Sequence, residues 1–433
     1  MAQSPTIHTL RAAPSPRHEH LSGTFTVALA SETEWLRQVV VHSPGEEVAL
    51  VSPENRQDLL FEDILFVGNA RNEHLLMVAV CEKIAGSPDS VLELTALLRE
   101  AFLQEDARYF FIERVCRAAR ERNLHAFEGD LKRLSPEELH VFAITGASPL
   151  PIVLDPVPNL MFIRDVAAAV LDHMIVGNPA NAVRTREANI VETVLRFHPG
   201  FADVRERVIS LPHGITFEGG DLIIADERVV LLGHSERTSF GGVMAIAQTL
   251  FDRTPIEHVL MVDLPKARSC MHLDTVFTFV SEDECVVFPP LIDRGNGGNV
   301  VHFTRGDGSG RFFSQVRPNL KEALQSVLGR ELSYIPCGGN EPLSQRREQW
   351  TDGANFFAVA PGAVVGYERN GQTFEAMRRR GYRVVSARGF LSYYSESEYV
   401  PGEKVAIKLE GTELSRGRGG PRCMTLPIRR GAA

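Results

Sequence analysis

The sequence predicts an α/β protein interrupted by a helical insertion. After Pro149 the chain runs as short β stretches separated by Gly, Pro and Asp, with helical stretches between them. Residues 95–148, in contrast, are rich in Leu, Ala, Glu and Arg and carry few strand signals. Two distant segments also resemble each other: Val229-Val230-Leu231-Leu232-Gly233-His234-Ser235-Glu236-Arg237 and Ala363-Val364-Val365-Gly366-Tyr367-Glu368-Arg369. Each is an apolar strand, a Gly, then Glu-Arg before a helix. Repetition of ββαβ-type units would suit a ring of similar modules, although two matching segments are thin support for one.

Taken in order, residues 1–23 read as a frayed leader, with three Pro and no apolar periodicity. Gln38-Val39-Val40-Val41 is a buried strand closed by the turn Ser43-Pro44-Gly45. Ser52-Pro53-Glu54 has the form of a helix start, Ser as N-cap and Pro in the first helical position. A second helix is expected over 71–85 and a strand over 91–94. In the insertion, Phe111 and Val115 stand four apart on one helical face, and Ser135-Pro136-Glu137-Glu138 is a capping box. Beyond it, 221–225 and 229–233 form a hairpin around a short Asp-Glu-Arg turn. The expected organisation is therefore an α/β domain of residues 24–94 and 149–433, with 95–148 as an inserted helical subdomain.

Over 433 residues, 44% are apolar and 23% charged, a globular composition that excludes wholesale disorder. Lys and Arg number 46 against 55 Asp and Glu, so the net charge of −9 does not steer the protein toward nucleic acid or an anionic membrane. The six cysteines are scattered singly, without a disulfide framework or zinc-ribbon spacing. The N-terminus lacks the apolar stretch of a signal peptide, and no apolar run approaches 18 residues. A cytoplasmic protein acting on a small molecule is the expectation.

Four motifs could carry chemistry. In Met271-His272-Leu273-Asp274-Thr275, a strand would project His272 and Asp274 to one side, an arrangement for proton transfer beside a cation; a partly exposed strand edge explains them equally. Glu218-Gly219-Gly220-Asp221 places carboxylates on both sides of two glycines, which allow positive φ and close approach, or simply a turn. Asp165, in Asn159-Leu160-Met161-Phe162-Ile163-Arg164-Asp165, is a buried-looking carboxylate or a partner of Arg164. Gly417-Arg418-Gly419-Gly420-Pro421-Arg422-Cys423-Met424 delivers a Cys among cations that would lower its pKa; an ordinary tail Cys and an Arg/Gly RNA-binding tail compete with that reading. Residues 293–299 are Gly-rich but fit neither nucleotide-binding spacing and read as a loop. One thiol, one His and several acids together suit attack on a cationic carbon centre.

These motifs, with His42-Ser43-Pro44-Gly45, Leu59-Leu60-Phe61-Glu62-Asp63 and Arg347-Glu348-Gln349-Trp350, resemble the arginine deiminases of the guanidine-modifying pentein superfamily, in family order over roughly residues 34–427. The resemblance implies a five-bladed α/β propeller of ββαβ modules with a helical insertion, and hydrolysis of L-arginine to L-citrulline and ammonia. It puts the nucleophile on Cys423, the acid/base on His272 with Glu218 behind it, and the guanidinium-gripping carboxylates on Asp165 and Asp274. Arg184, Arg237 and Arg418 would hold the substrate's carboxylate end, with Asn159, Phe162 and Asp221 lining the pocket. No metal or cofactor is implied, and the family suggests a homodimer or homotetramer. One motif departs: Ile163 stands where the family usually has Thr. Rival readings are another guanidine-modifying reaction, such as amidino transfer, and a non-catalytic binding protein of the same fold.

Overall fold

A computed structural model describes residues 23–118, 124–292, 299–306, 312–395, 397–400 and 402–431. The leader over 1–22 and the Gly-rich stretch over 293–298 lie outside the described residues. The fold is mixed α/β, and one pattern recurs: an antiparallel strand pair, a helix, then a strand parallel to the second of the pair. Ala167–Val170 and His173–Val176 are followed by helix Thr185–Phe197 and strand Val208–Ile209. Leu222–Asp226 and Val229–His234 are followed by Phe240–Arg253 and His258–Asp263, and this sheet is extended by Val300–Arg305 and Phe312–Arg317. Phe277–Phe279 and Glu284–Val287 lead through helix Leu320–Leu328 to Ser333–Pro336. Phe357–Ala360 and Ala363–Tyr367 lead through helix Gly371–Arg379 to Arg383–Ser386, which joins that sheet through Val405–Leu409.

The remaining sheet joins the two ends of the described chain. Leu426–Gly431 lies antiparallel to Trp35–Val41, which leads through helix Val67–Ala85 to the parallel strand Val91–Glu93. The two similar segments noted in the sequence occupy equivalent places, each the second strand of its pair. Their apolar residues are buried on both faces, which is why they read as continuous hydrophobic runs.

Between the first sheet and Ala167 the chain is helical: Leu94–Ala101, Glu105–Ala118 and Pro136–Thr145, with shorter turns. Ser135 caps the last of these in a complete capping box, and Gly146 ends it at φ 79°. Leu97, Phe111, Val115 and Leu139 belong to the same buried cluster as Ile190 and Val194 of helix Thr185–Phe197, so this stretch shares a hydrophobic core with the sheet. Ser52-Pro53-Glu54 does not open a helix. Asn55 Oδ1 takes the Ser52 N–H at 2.8 Å, and the chain closes isolated turns as far as Leu60, at φ 58°. The second helix starts at Val67, earlier than its apolar pattern suggested. Among the described residues no helix is long and apolar enough to cross a membrane.

Candidate active site

The two glycines of the 217–221 motif have negative φ, so close approach is what they provide. A Cβ on Gly219 would lie 2.2 Å from the Arg164 carbonyl oxygen, and one on Gly220 2.7 Å from the His272 ring. Glu218 is thereby pressed against the imidazole: His272 Nε2 and Glu218 Oε2 are 2.8 Å apart, and Nδ1 lies 3.6 Å from Asp165 Oδ1. Burial opposes the imidazolium, but the Asp165 charge, the Glu218 hydrogen bond and the nearby Asp221 outweigh it and raise His272 to about 9. Burial likewise opposes the Glu218 carboxylate, and the hydrogen bond to His272 with the charges of His272, Arg184 and Arg237 lowers it to about 2.

His272 and Asp274 do not share a strand. Leu273–Thr275 is a tight 3₁₀ turn, and the two side chains diverge, His272 to Glu218 and Asp165, Asp274 to Arg422 and Cys423. The turn is held from outside: Leu273 N–H donates to Asp221 Oδ1 at 2.9 Å, and Gln349 Nε2 donates to the carbonyls of Ser269 (2.5 Å) and Thr275 (3.2 Å). Asp221, expected to line the pocket, has both carboxylate oxygens taken by protein donors. Its other oxygen accepts from Ser235 Oγ at 2.6 Å, and it supports the His272 turn from behind.

Asp165 sits on a single helical turn, Ile163–Val166, and its partner is Arg184 rather than Arg164. Arg164 binds the backbone of the thiol-bearing turn: its N–H donates to the Cys423 carbonyl at 3.0 Å and its Nε to that of Arg422 at 3.4 Å. Cys423 is 5% exposed, with Sγ 3.9 Å from Asp274 Oδ2. Its thiol is not activated by cationic neighbours. Burial, then Asp274, Asp165 and Asp352, push its pKa well above the ordinary value. Arg422, adjacent in sequence, turns into the core to meet Glu32 Oε1, Asp274 Oδ2 (both 2.8 Å) and the Leu222 carbonyl. One oxygen of each of these two carboxylates, Asp165 and Asp274, is thus engaged by a protein arginine; Asp165 Oδ1 and Asp274 Oδ1 are buried without a hydrogen-bond partner.

A cleft opens beside Asp165, Glu218, Asn159, Phe162, Arg184, Arg237 and Arg418, together with Leu60, Met271 and Gly417, motif residues to which no role was assigned, and Arg268, which lies in none of the motifs. Phe162 fits because Gly419 has no side chain; a Cβ there would lie 2.3 Å from its ring. Asn159 Nδ2 donates to the Leu59 carbonyl. Arg184 commits its donors to protein: Nη1 to Asp165, Nε to Glu187 at 2.8 Å, and Nη2 to the Asn159 and Phe162 carbonyls. Glu187, three residues on from Arg184, was legible only as an i+3 charge pair. Arg237 Nε and Arg418 Nε and Nη1, in contrast, are buried without hydrogen-bond partners. Arg418, at φ 64°, lies over Trp350 at 3.5 Å, and Arg268 closes the rim through Glu62 at 2.7 Å.

Asp165, Glu218 and His272 also present ligand atoms within 4.8 Å of one another, as do Cys116, His125 and Glu128 in the helical stretch. A protonated His272 and the Arg184 pair oppose a metal at the first group, and Lys132 holds Glu128 in the second.

The fold and site define a mixed α/β protein with a buried thiol beside a carboxylate, Cys423 and Asp274, and a buried imidazolium held by two others, His272 between Glu218 and Asp165. The model of the arginine deiminase family matches residues 57–430. The chain is 32% identical over 428 residues to an arginine deiminase of Bacillus cereus (strain B4264), covering 93% of this chain and 98% of that one. It is 32% identical over 425 residues to that of Listeria monocytogenes serotype 4a (strain HCC23), covering 93% and 97%. This chain belongs to the arginine deiminase family. Among solved structures, a DDAH from Pseudomonas aeruginosa is similar at a TM-score of 0.49 and 14% identity, covering 90% of this chain and 99% of that one, too distant a likeness to bear on the site.

Proposed function

We propose that this protein hydrolyses L-arginine to L-citrulline and ammonia through a covalent intermediate on Cys423. The observation that carries the reading is the pair of buried oxygens without a hydrogen-bond partner, Asp165 Oδ1 and Asp274 Oδ1, on two carboxylates whose charges both act on the buried Cys423 thiol. A substrate guanidinium is a planar cation with N–H donors that suit them, one per carboxylate. Its charge offsets the carboxylates that hold the Cys423 proton in place, so substrate binding itself favours the thiolate.

On substrate binding the Cys423 proton passes to solvent, and the thiolate attacks the guanidinium carbon. The bond to a terminal nitrogen then breaks, and that nitrogen leaves as ammonia with a proton from His272, whose Nδ1 is not engaged by Glu218. Water adds to the carbon, His272 takes one of its protons, and cleavage of the C–S bond returns the thiolate and releases citrulline, the other water proton passing to solvent, where ammonia takes it up. His272 holds its proton to about pH 9, so the acid step is available at neutral pH. Arg237 and Arg418 carry the donors for the substrate carboxylate, and Arg184 orients Asp165. The reading includes the pentein propeller, with the five ββαβ sheets as blades and the pairing of Trp35–Val41 with Leu426–Gly431 in support. It also includes a cytoplasmic homodimer or homotetramer, as the resemblance implies.

The test is incubation with L-arginine without added metal or nucleotide, assaying citrulline and ammonia together. Equimolar products are expected, none from C423A; full turnover by C423A refutes the covalent route. Agmatine lacks the carboxylate, and loss of charge-assisted bonds of about 2–4 kcal/mol predicts a kcat/KM lower by about 30- to 1000-fold. Equal values for both substrates discard the carboxylate clamp.

A further inference from the structure

We infer that Asn355 is a positioning residue that fixes the distance between the nucleophile and the guanidinium-gripping carboxylate, an inference that rests on Cys423 and Asp274 acting as proposed above. Asn355 is fully buried and lies outside the cleft lining. Its side chain nevertheless joins the two halves of the site. Oδ1 accepts the backbone N–H groups of both Arg422 (3.1 Å) and Cys423 (3.2 Å), and Nδ2 donates to the backbone carbonyl of Asp274 (3.1 Å). All three partners are main-chain groups, so one planar amide ties the peptide carrying the thiol to the peptide carrying the carboxylate. Across that tie, Cys423 Sγ stands 3.9 Å from Asp274 Oδ2.

The neighbouring sequence is built around this contact. A Cβ on Gly420 would lie 2.5 Å from Asn355 Oδ1, so the thiol-bearing turn closes onto the amide only because that residue is glycine. From the other side, Tyr367 Oη donates to the Gly419 carbonyl at 2.8 Å. Asn355 itself is anchored by its N–H to the Asp352 carbonyl at 3.0 Å. The requirement is for a donor and an acceptor in one plane at this reach. Asp supplies only the acceptor, Leu supplies neither while keeping similar volume, and Ala also leaves a cavity and two buried N–H donors unmatched.

The chemical consequence is specific. Arginine would be recognised by Asp165, Asp274, Arg237 and Arg418, of which Asn355 bonds only Asp274 and only at its main-chain carbonyl, whereas in-line attack depends on where Sγ stands relative to the gripped carbon. A misplacement of about 1 Å at such a centre costs on the order of 10²-fold in rate. Loosening the tie therefore lowers kcat and leaves KM nearly in place.

The experiment compares wild type, N355A, N355L and N355D in the full chain by steady-state kinetics, by the rate of covalent adduct formation in a single turnover, by the pH dependence of Cys423 alkylation, and by Tm. The expected result is a kcat about 10²-fold lower in N355A and N355L with KM within about threefold of wild type, and the same loss in the adduct-forming step. N355D, which keeps the acceptor, recovers part of kcat, and its added negative charge moves the alkylation profile to higher pH. Unchanged kcat in the folded variants overturns the inference. So does a parallel loss of kcat and KM that tracks Tm with no difference between N355D and N355A, which is the pattern of a merely structural residue. If N355A and N355L do not fold, N355D decides through the same split between kcat and KM. If wild type does not turn over arginine, the functional reading fails, and the alkylation profiles still decide whether Asn355 governs the thiol: identical profiles overturn it.

Discussion

Replacing Asp274 by Asn separates two properties that are often assumed to travel together, thiol reactivity and activity. In the wild-type site the Asp274 carboxylate lies 3.9 Å from Cys423 Sγ and opposes its ionisation. At an effective dielectric of about 20, like charges at that separation repel by about 4 kcal/mol, or about three pH units. Arg422, which pairs with the same carboxylate oxygen at 2.8 Å, already cancels part of this. The expected net effect is a fall of about one to three pH units in the midpoint of Cys423 alkylation. Arg422 acts in the same direction in the variant, since its charge is no longer neutralised by Asp274. The same substitution removes one of the two carboxylates available to a guanidinium, so kcat/KM for arginine drops by about 10²-fold or more. The assay is iodoacetamide modification of Cys423 across pH, read by mass spectrometry of its peptide, beside citrulline release. An alkylation midpoint that stays put or rises in D274N refutes the electrostatic account of this thiol.

Two further perturbations test charges elsewhere in the structure. E218Q removes the carboxylate on His272 Nε2 while preserving shape, so the loss of activity at high pH, expected near 9 in the wild type, moves toward the ordinary imidazole range; a limb that does not move refutes the pairing. His42, between Glu47 at 3.1 Å and Glu93 at 3.0 Å, is raised to about 10, the two carboxylates outweighing burial. A raised folded-state pKa means that its stabilisation is complete below about pH 6.5 and is lost as pH rises through about 10. H42Q should lower stability by about 3–5 kcal/mol at pH 6 and by clearly less at pH 10.5, followed by urea unfolding; an equal loss at both excludes the ion pairs as the cause.

What the sequence disclosed and what it concealed follow from the range of the interactions concerned. The hairpin around 226–228, the Ser135 capping box and the helix ending at Ala85 are written in neighbouring residues, and the structure has them. The residues the motifs singled out fall into two contacting groups, Cys423 with Asp274, and His272 with Glu218 and Asp165. Their backbone settings were harder to see. A His-x-Asp pattern suits a strand, but the Asp221 and Gln349 hydrogen bonds that stabilise a 3₁₀ turn come from 52 and 74 residues away. The resemblance put Asp221 in the pocket with Glu218, whereas the tight turn between them sends the two side chains to different partners. Asn355 and Arg422 lack a local signature because their partners are main-chain atoms or distant acids. The expected acidic thiol failed for a related reason: Arg422 is adjacent in sequence but directed at Glu32 and Asp274.

The strand Leu426–Gly431 begins three residues beyond Cys423 and zips against Trp35–Val41, near the opposite end of the described chain. Arg422 fastens the same seam, binding Glu32 across 390 positions while touching Asp274. The place of the sulfur beside Asp274 thus depends on a seam between the two ends of the described chain, and substitutions that weaken the pairing of Leu426–Gly431 with Trp35–Val41 are expected to reach Cys423 without touching the cleft.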